Sequence, residues 1–195
     1  TNRAPRKRTK GSEGESFWIW LQLKVIADIG IVGLPNSGKS SLLSKLTAAK
    51  PKIANYPFTT INPNLGVANY DDKEVTLADI PGIIEGAHKG LGLGDKFLRH
   101  IERCKSLLHL IDITDENFLK NYFKVRKELS RYSKKLIKKN EIIVFNKIDI
   151  LEEANINKKI SIFQKKLNKK VYMISTLKKK GLTDIKKILI NHVHK

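Results

Sequence analysis

The chain has 195 residues, 41% hydrophobic content and a formal net charge of +19. That is apolar material for one full core, and one domain with some extra is expected. No run approaches the ~20 apolar residues of a membrane helix, the first residues carry no signal-peptide pattern, and Cys104, the single cysteine, excludes an internal disulfide.

The lone cysteine fits a reducing, cytoplasmic compartment. A first residue of Thr1 rather than Met leads to the expectation of a fragment or a processed product. The charge has two readings. It is the footprint of a protein working against nucleic acid. It is also mostly lysine, with arginine only at positions 3, 6, 8, 99, 103, 126 and 131, and solvated lysine can reflect biased codon usage.

In chain order, residues 1–16 (TNRAPRKRTKGSEGES) are basic and rich in breakers, which predicts an irregular segment. Residues 17–23 (FWIWLQL) place apolar groups on both faces of an expected strand, covered from both sides. Residues 27–32 (ADIGIV) read as a short buried strand.

That strand feeds the most informative stretch, GLPNSGKSS, which holds G-x-x-x-x-G-K-S at Gly33, Gly38, Lys39 and Ser40. Glycines at these places let successive backbone N–H groups turn toward phosphate oxygens. In this pattern the lysine reaches the β- and γ-phosphates and the hydroxyl of Ser40 sits on Mg²⁺. Residues 40–46 (SSLLSKL) open a helix, whose N-terminus adds positive potential. Gly33, Leu34, Pro35, Asn36, Ser37, Gly38, Lys39, Ser40 and Ser41 are therefore the expected phosphate-binding set.

Next, Pro51, Pro57 and Pro63 forbid a continuous helix, so a long loop that orders on demand is expected, with Thr59 and Thr60 inside it. Residues 64–70 and 74–79 read as a hairpin turning at Asp71-Asp72. The second strand ends in Asp79-Ile80-Pro81-Gly82, and a glycine-punctuated loop and a helix over 95–103 follow. Residues 107–113 (LLHLIDI) form an apolar run suited to a buried parallel strand. A basic amphipathic helix over 116–138, a strand over 141–145, a helix over 157–167, a strand over 171–174 and a helix over 181–193 complete the chain. The alternation predicts an α/β fold, a P-loop NTPase with a mostly parallel sheet flanked by helices.

In such a sheet ligands gather at the strand ends. Asp79 there is placed to reach Mg²⁺ through water, and the N–H of Gly82 to bond the γ-phosphate. Asn146-Lys147-x-Asp149 names the base. A carboxylate at Asp149 accepts from guanine N1–H and the 2-amino group, donors that adenine lacks. A buried acceptor of this kind discriminates by ~10⁴–10⁵. Lys147 can lie over the base, Asn146 can tie strands and loops together, and Ser175, Thr176 and Leu177 complete the pocket near O6. His109 reads as a core-adjacent side chain, His88 and His100 lack metal-ligand partners, and Cys104 reads as a small buried hydrophobe.

Four stretches carry a resemblance to a known family: LKVIADIGIVGLPNSGKSSLL, AAKPKIANYPFTTINPNLGV, DIPGIIEGAHKGLGLGDKFLRHIERC and NKID. The chain resembles the Obg GTPases, in the TRAFAC branch of P-loop proteins. The resemblance implies that residues 25–195 are an Obg-type G domain and that residues 1–24 are the tail of the glycine-rich Obg domain with a linker strand. It implies a first switch around Phe58, Thr59, Thr60 and Ile61, with Ser40 and Thr60 as Mg²⁺ ligands. A second switch runs from Asp79 through Ile80, Pro81 and Gly82 to Gly94. Where the family carries Ser-Ala, this chain has Ser175-Thr176. The resemblance further implies a regulatory GTPase of large ribosomal subunit assembly, with links to growth and stress control; the expected partners are the subunit's rRNA and ribosomal proteins, and a monomer with no membrane partner is expected.

No catalytic residue is assigned. Many GTPases orient the attacking water with a glutamine after D-x-x-G, but here Ile83 follows Gly82. Slow hydrolysis is the expectation, accelerated by a partner. Asn36 in the phosphate loop suggests K⁺ held against the phosphates, the alternative being that it only shapes the loop. Rival readings are an RNA- or ribosome-binding module that keeps guanine nucleotide as a structural ligand, a DRG-like GTPase of another pathway, and an ATPase.

Overall fold

A computed structural model of the chain describes residues 10–19, 27–47, 52–53, 64–79 and 102–194. Among them, seven strands form one sheet: β1 (Ala27–Val32), β2 (Lys52–Ile53), β3 (Asn64–Tyr70), β4 (Lys73–Asp79), β5 (Cys104–Asp112), β6 (Glu141–Asn146) and β7 (Val171–Met173). The helices are α1 (Lys39–Leu46), α2 (Phe118–Tyr132), α3 (Lys134–Ile137), α4 (Glu153–Leu167) and α5 (Leu182–Val193).

The spatial order is β2-β3-β4-β1-β5-β6-β7. β4, β1, β5, β6 and β7 pair in parallel, while β3 pairs antiparallel with both β2 and β4. The expected hairpin is thus β3–β4, with Asp71 and Asp72 both left-handed at its turn. β1 lies between β4 and β5, so the loop leaving it rises over the middle of the sheet.

Alternation along the parallel strands feeds two helical layers. Ile142 and Val144 of β6 face α1 and α5, against Leu42, Leu43, Leu46, Ile185 and Leu189. Their neighbours Ile143 and Phe145 face α2 and α4, against Phe118, Tyr122 and Phe163. Burial on both faces is why these strands read as unbroken apolar runs.

Several boundaries differ from those read in the sequence. The predicted helix over 116–138 is two helices, because Ser133 adopts an extended backbone and its side chain accepts the Lys135 N–H, capping α3. β5 begins at Cys104, three residues before the apolar run, because Ala27 of β1 pairs with it there. The strand expected over 17–23 is not seen in its described part. Residues 17–19 are irregular, and Phe17, Trp18 and Ile19 are exposed. Residues 20–23, and all but 102–103 of the helix expected over 95–103, lie outside the described residues.

Cys104 is buried, and that burial pushes its thiol up to about 12. His109 is buried too, stacked on Tyr122 with Nδ1 3.0 Å from Glu141 Oε1. Glu141 Oε2 accepts from Tyr122 Oη at 3.1 Å and from Lys169 Nζ at 2.7 Å, with Arg126 3.7 Å away. Burial alone would raise the Glu141 carboxyl, but His109, Lys169 and Arg126 outweigh it and hold it at about 2.

Since the folded value lies below the ordinary 4.5, this carboxylate adds stability above pH 4.5 and loses it as the pH falls toward about 2. Glu141→Gln should be less stable at neutral pH and show a flatter decline across that acid window in urea denaturation. An equally steep decline in both proteins would contradict this account of the cluster.

Candidate nucleotide-binding site

The phosphate loop spans 33–38 between β1 and α1. Its two glycines are required by close approach. A Cβ on Gly33 would strike the Leu110 carbonyl oxygen, and one on Gly38, at φ 97°, would strike Asn146 Nδ2. Asn36 is left-handed as well, at φ 61°. No side chain caps α1 at Gly38 and no acid lies in its first turn, so the helix N-terminus faces the cleft with its positive end unneutralised.

Lys39 is buried, and Nζ donates to the loop's own carbonyls, Gly33 at 3.1 Å and Leu34 at 3.0 Å. Burial lowers its pKa, against the opposing pull of Asp79. The ammonium is therefore held at the loop's centre by two neutral acceptors.

Asp79 ends β4 with its carboxylate fully buried. Oδ2 accepts the Ser40 hydroxyl at 2.5 Å, while Oδ1 has no partner among the described residues. A buried carboxylate oxygen left over beside a hydroxyl is the donor set of a hydrated hard divalent cation. The residues present thus fit Mg²⁺.

Asn146, at the end of β6, is fully buried and bridges two loops. Its Nδ2 donates to Ser37 O at 2.8 Å, and its Oδ1 accepts from Thr176 N at 3.1 Å and Thr176 Oγ1 at 3.3 Å. This is the tie expected from the sequence. Lys147 takes a left-handed backbone at φ 67° and pairs with Asp112 Oδ2 at 2.5 Å. Burial works to raise Asp112, but hydrogen bonds from Lys147 and Thr114 prevail and its pKa is lowered.

These parts enclose a cleft of about 570 Å³, lined by Asn36, Gly38, Lys39, Ser40, Ser41, Lys45, Asn146, Lys147, Asp149, Ile150, Thr176 and Leu177. The phosphate loop and Asp149 therefore share one cavity. Asp149 is exposed on the wall of the cleft, not buried as the sequence suggested. Ser175 does not line the cleft. It is buried, and its Oγ accepts the Lys178 N–H at 2.9 Å, which shapes the turn that presents Thr176 and Leu177. Leu34, Pro35 and Ser37 line a separate cavity of about 80 Å³ behind the loop. Phe58, Thr59, Thr60, Ile61, Ile80, Pro81 and Gly82 lie outside the described residues, as do Ile83, His88 and His100.

Sequence reading missed Lys45, Ile150 and Asp112. Lys45 stands four residues after Ser41 on α1, a helical spacing that could have flagged it. Asp112 ends a buried strand as Asp79 does, and the same strand-end argument applied to both. Nothing in the sequence pointed to Ile150.

Residues 28–147 match the protein family described as 50S ribosome-binding GTPase. GTPase Obg of Pelagibacter ubique is 62% identical over 193 residues, 99% of this chain and 59% of that protein. GTPase Obg of Rickettsia felis is 55% identical over 192 residues, 98% of this chain and 58% of that protein. The chain thus spans less than two thirds of the curated relatives it matches. Among solved structures, Aquifex aeolicus Era bound to GDP·AlF4⁻ superposes with a TM-score of 0.67 at 27% identity, covering 85% of this chain and 56% of that one. Era in complex with MgGDPNP and a segment of 16S ribosomal RNA gives a TM-score of 0.65 at 28% identity, covering 84% and 55%.

Asn146→Ala removes three hydrogen bonds and leaves the buried Ser37 carbonyl and Thr176 N–H unpaired. We expect a loss of about 2–4 kcal/mol in urea denaturation, together with weaker binding of GDP by calorimetry. Wild-type stability and affinity in the variant would contradict the bridging role.

Proposed function

The chain belongs to the 50S ribosome-binding GTPase family, with the Obg GTPases as its relatives, and from that premise we propose that it binds GTP with Mg²⁺, hydrolyses it slowly and acts in the cytoplasm on the assembly of the large ribosomal subunit. One observation carries the nucleotide reading: Lys39, Ser40 and Asp149 line a single cleft. Its volume, about 570 Å³, suits one nucleotide. The large-subunit reading is supported by the family's description; a solved Era structure that contains 16S ribosomal RNA, a small-subunit RNA, supports only the broader reading of a ribosomal RNA partner. We further propose the division expected from sequence, with a G domain from residue 25 onward.

Each residue then has a task. Asp149 accepts from guanine N1–H and the 2-amino group at the outer wall. Thr176, pinned to Asn146, sets the distance between base and phosphate loop. Lys147, steadied by Asp112, lies along the base. The amides of 36–41 and Lys39 receive the phosphates. Ser40 and Thr60 would hold the metal, with Asp79 reaching it through water from its unused Oδ1. When bound, Mg²⁺ would neutralise phosphate charge. Loss of the γ-phosphate releases the two switch stretches.

Exposure of Asp149 sharpens the account of specificity. Its discrimination against adenine arises when the base covers it, since the carboxylate is solvated beforehand. Asp149→Asn should weaken GDP binding on the order of 10²–10⁴-fold and favour xanthosine diphosphate, read by competition with a fluorescent nucleotide. Unchanged base selection would overturn the guanine reading.

Slow turnover follows from Ile83 at the position after Gly82, where a side chain that could orient water is missing. Asn36, left-handed and lining the cleft, would lend a carbonyl to K⁺ against the phosphates. Single-turnover hydrolysis should run near or below ~10⁻⁴ s⁻¹ in sodium buffer and faster in potassium. Equal rates in the two buffers would remove potassium from the mechanism, and fast hydrolysis in sodium would remove the claim of slow turnover.

A further inference from the structure

We propose that the outward face of α2 and α4 is a docking surface for the phosphate backbone of structured RNA. This rests on the ribosomal reading above and places it on one side of the molecule, away from the nucleotide cleft.

The two helices are built alike. In α2, Phe118, Tyr122, Val125 and Leu129 are buried at the spacing of one helical face. Lys120, Lys124, Lys127 and Arg131 repeat that spacing two residues later, about 200° around the helix. All four are exposed. In α4, Ile156 and Phe163 are buried, and Lys158 and Lys165, again two residues later, are exposed. The helices are neighbours, since Phe163 packs on Phe118 and Tyr122, and Lys166 Nζ lies 5.8 Å from the Phe123 ring. Two rows of cations therefore run side by side on one face.

Opposing charge is confined elsewhere. Asp115, Glu116, Glu152 and Glu153 sit at the N-terminal ends of the two helices, where the helix dipole favours them. Between them and the helix ends the one acid is Glu128, which is buried and 3.6 Å from Arg131. Lys159 and Lys169 are engaged, with Ile113 O and with Glu141, and do not belong to the surface.

RNA suits this surface better than other polyanions. Phe123 is 42% exposed and Ile162 44%, apolar groups set amid the cations where a base or sugar can rest. An anionic membrane needs a broad apolar helix face, but the apolar faces of α2 and α4 are spent on the core.

The test uses the full chain with a labelled A-form RNA duplex over a salt series. A variant with Lys120, Lys124, Lys127, Lys158, Lys165 and Lys166 each changed to Gln should bind on the order of 10²-fold more weakly and lower the salt slope by about 4–5. A control, Lys186→Gln with Lys187→Gln on α5 beyond the other face of the sheet, should leave the slope within about one unit. A slope reduced by less than about two in the sextuple variant would overturn the proposal, as would a control that loses as much per charge. Binding of anionic phosphatidylglycerol vesicles but not RNA through the same six lysines would also overturn it, in favour of a membrane. Binding of the wild-type chain to 50S particles is measured in parallel. Failure of the ribosomal reading would appear there, while the duplex result still decides whether this face binds RNA.

Discussion

The carboxamide of Asn146 is the junction on which the site depends. A parallel sheet delivers its loops to one edge but does not by itself set their spacing. Asn146 does, with a donor on the phosphate loop and an acceptor on the turn at Thr176. An amide is suited to this because it both gives and accepts from a rigid plane, and it carries no charge whose burial must be offset. Gly38 is the reciprocal requirement, since any Cβ there would meet that same amide.

Charge buried around the junction is arranged for exchange rather than for permanence. Lys39 rests on two carbonyls, which are weaker partners than phosphate oxygens. Asp79 keeps one buried oxygen without a partner among the described residues. Under the proposed function both would gain when an anion and a divalent cation arrive together. The cluster at Glu141 is the opposite case. His109, Tyr122, Arg126 and Lys169 surround one carboxylate, and the result anchors α2 to β5 and β6. It helps to fix the helix that carries one of the two basic rows, so a buried network and an exposed charge pattern share one element.

Much of the site was legible in the chain alone because its demands are local. Glycine spacing, a lysine and a hydroxyl at the start of a helix, and acids or amides at strand ends are constraints within a few residues. The strand over 27–32 and the hairpin over 64–79 were readable for the same reason, from apolar period and turn residues. The single helix expected over 116–138 was not, because the cap at Ser133 lies inside a basic run whose periodicity passes through it. Residues 17–19 misled because alternation of aromatics looks alike whether or not anything covers them.

The amino-acid order by itself determined the fold class and the phosphate loop, and singled out Asp149 as the proposed guanine contact, since each is written in backbone freedom and side-chain chemistry at short range. Only the tertiary structure decided that Ser175 shapes a turn instead of lining the cleft, that Asp112 holds Lys147, and that the basic rows of α2 and α4 stand side by side. Those facts depend on which distant segments the sheet brings into contact, and no pattern confined to one stretch of chain encodes them.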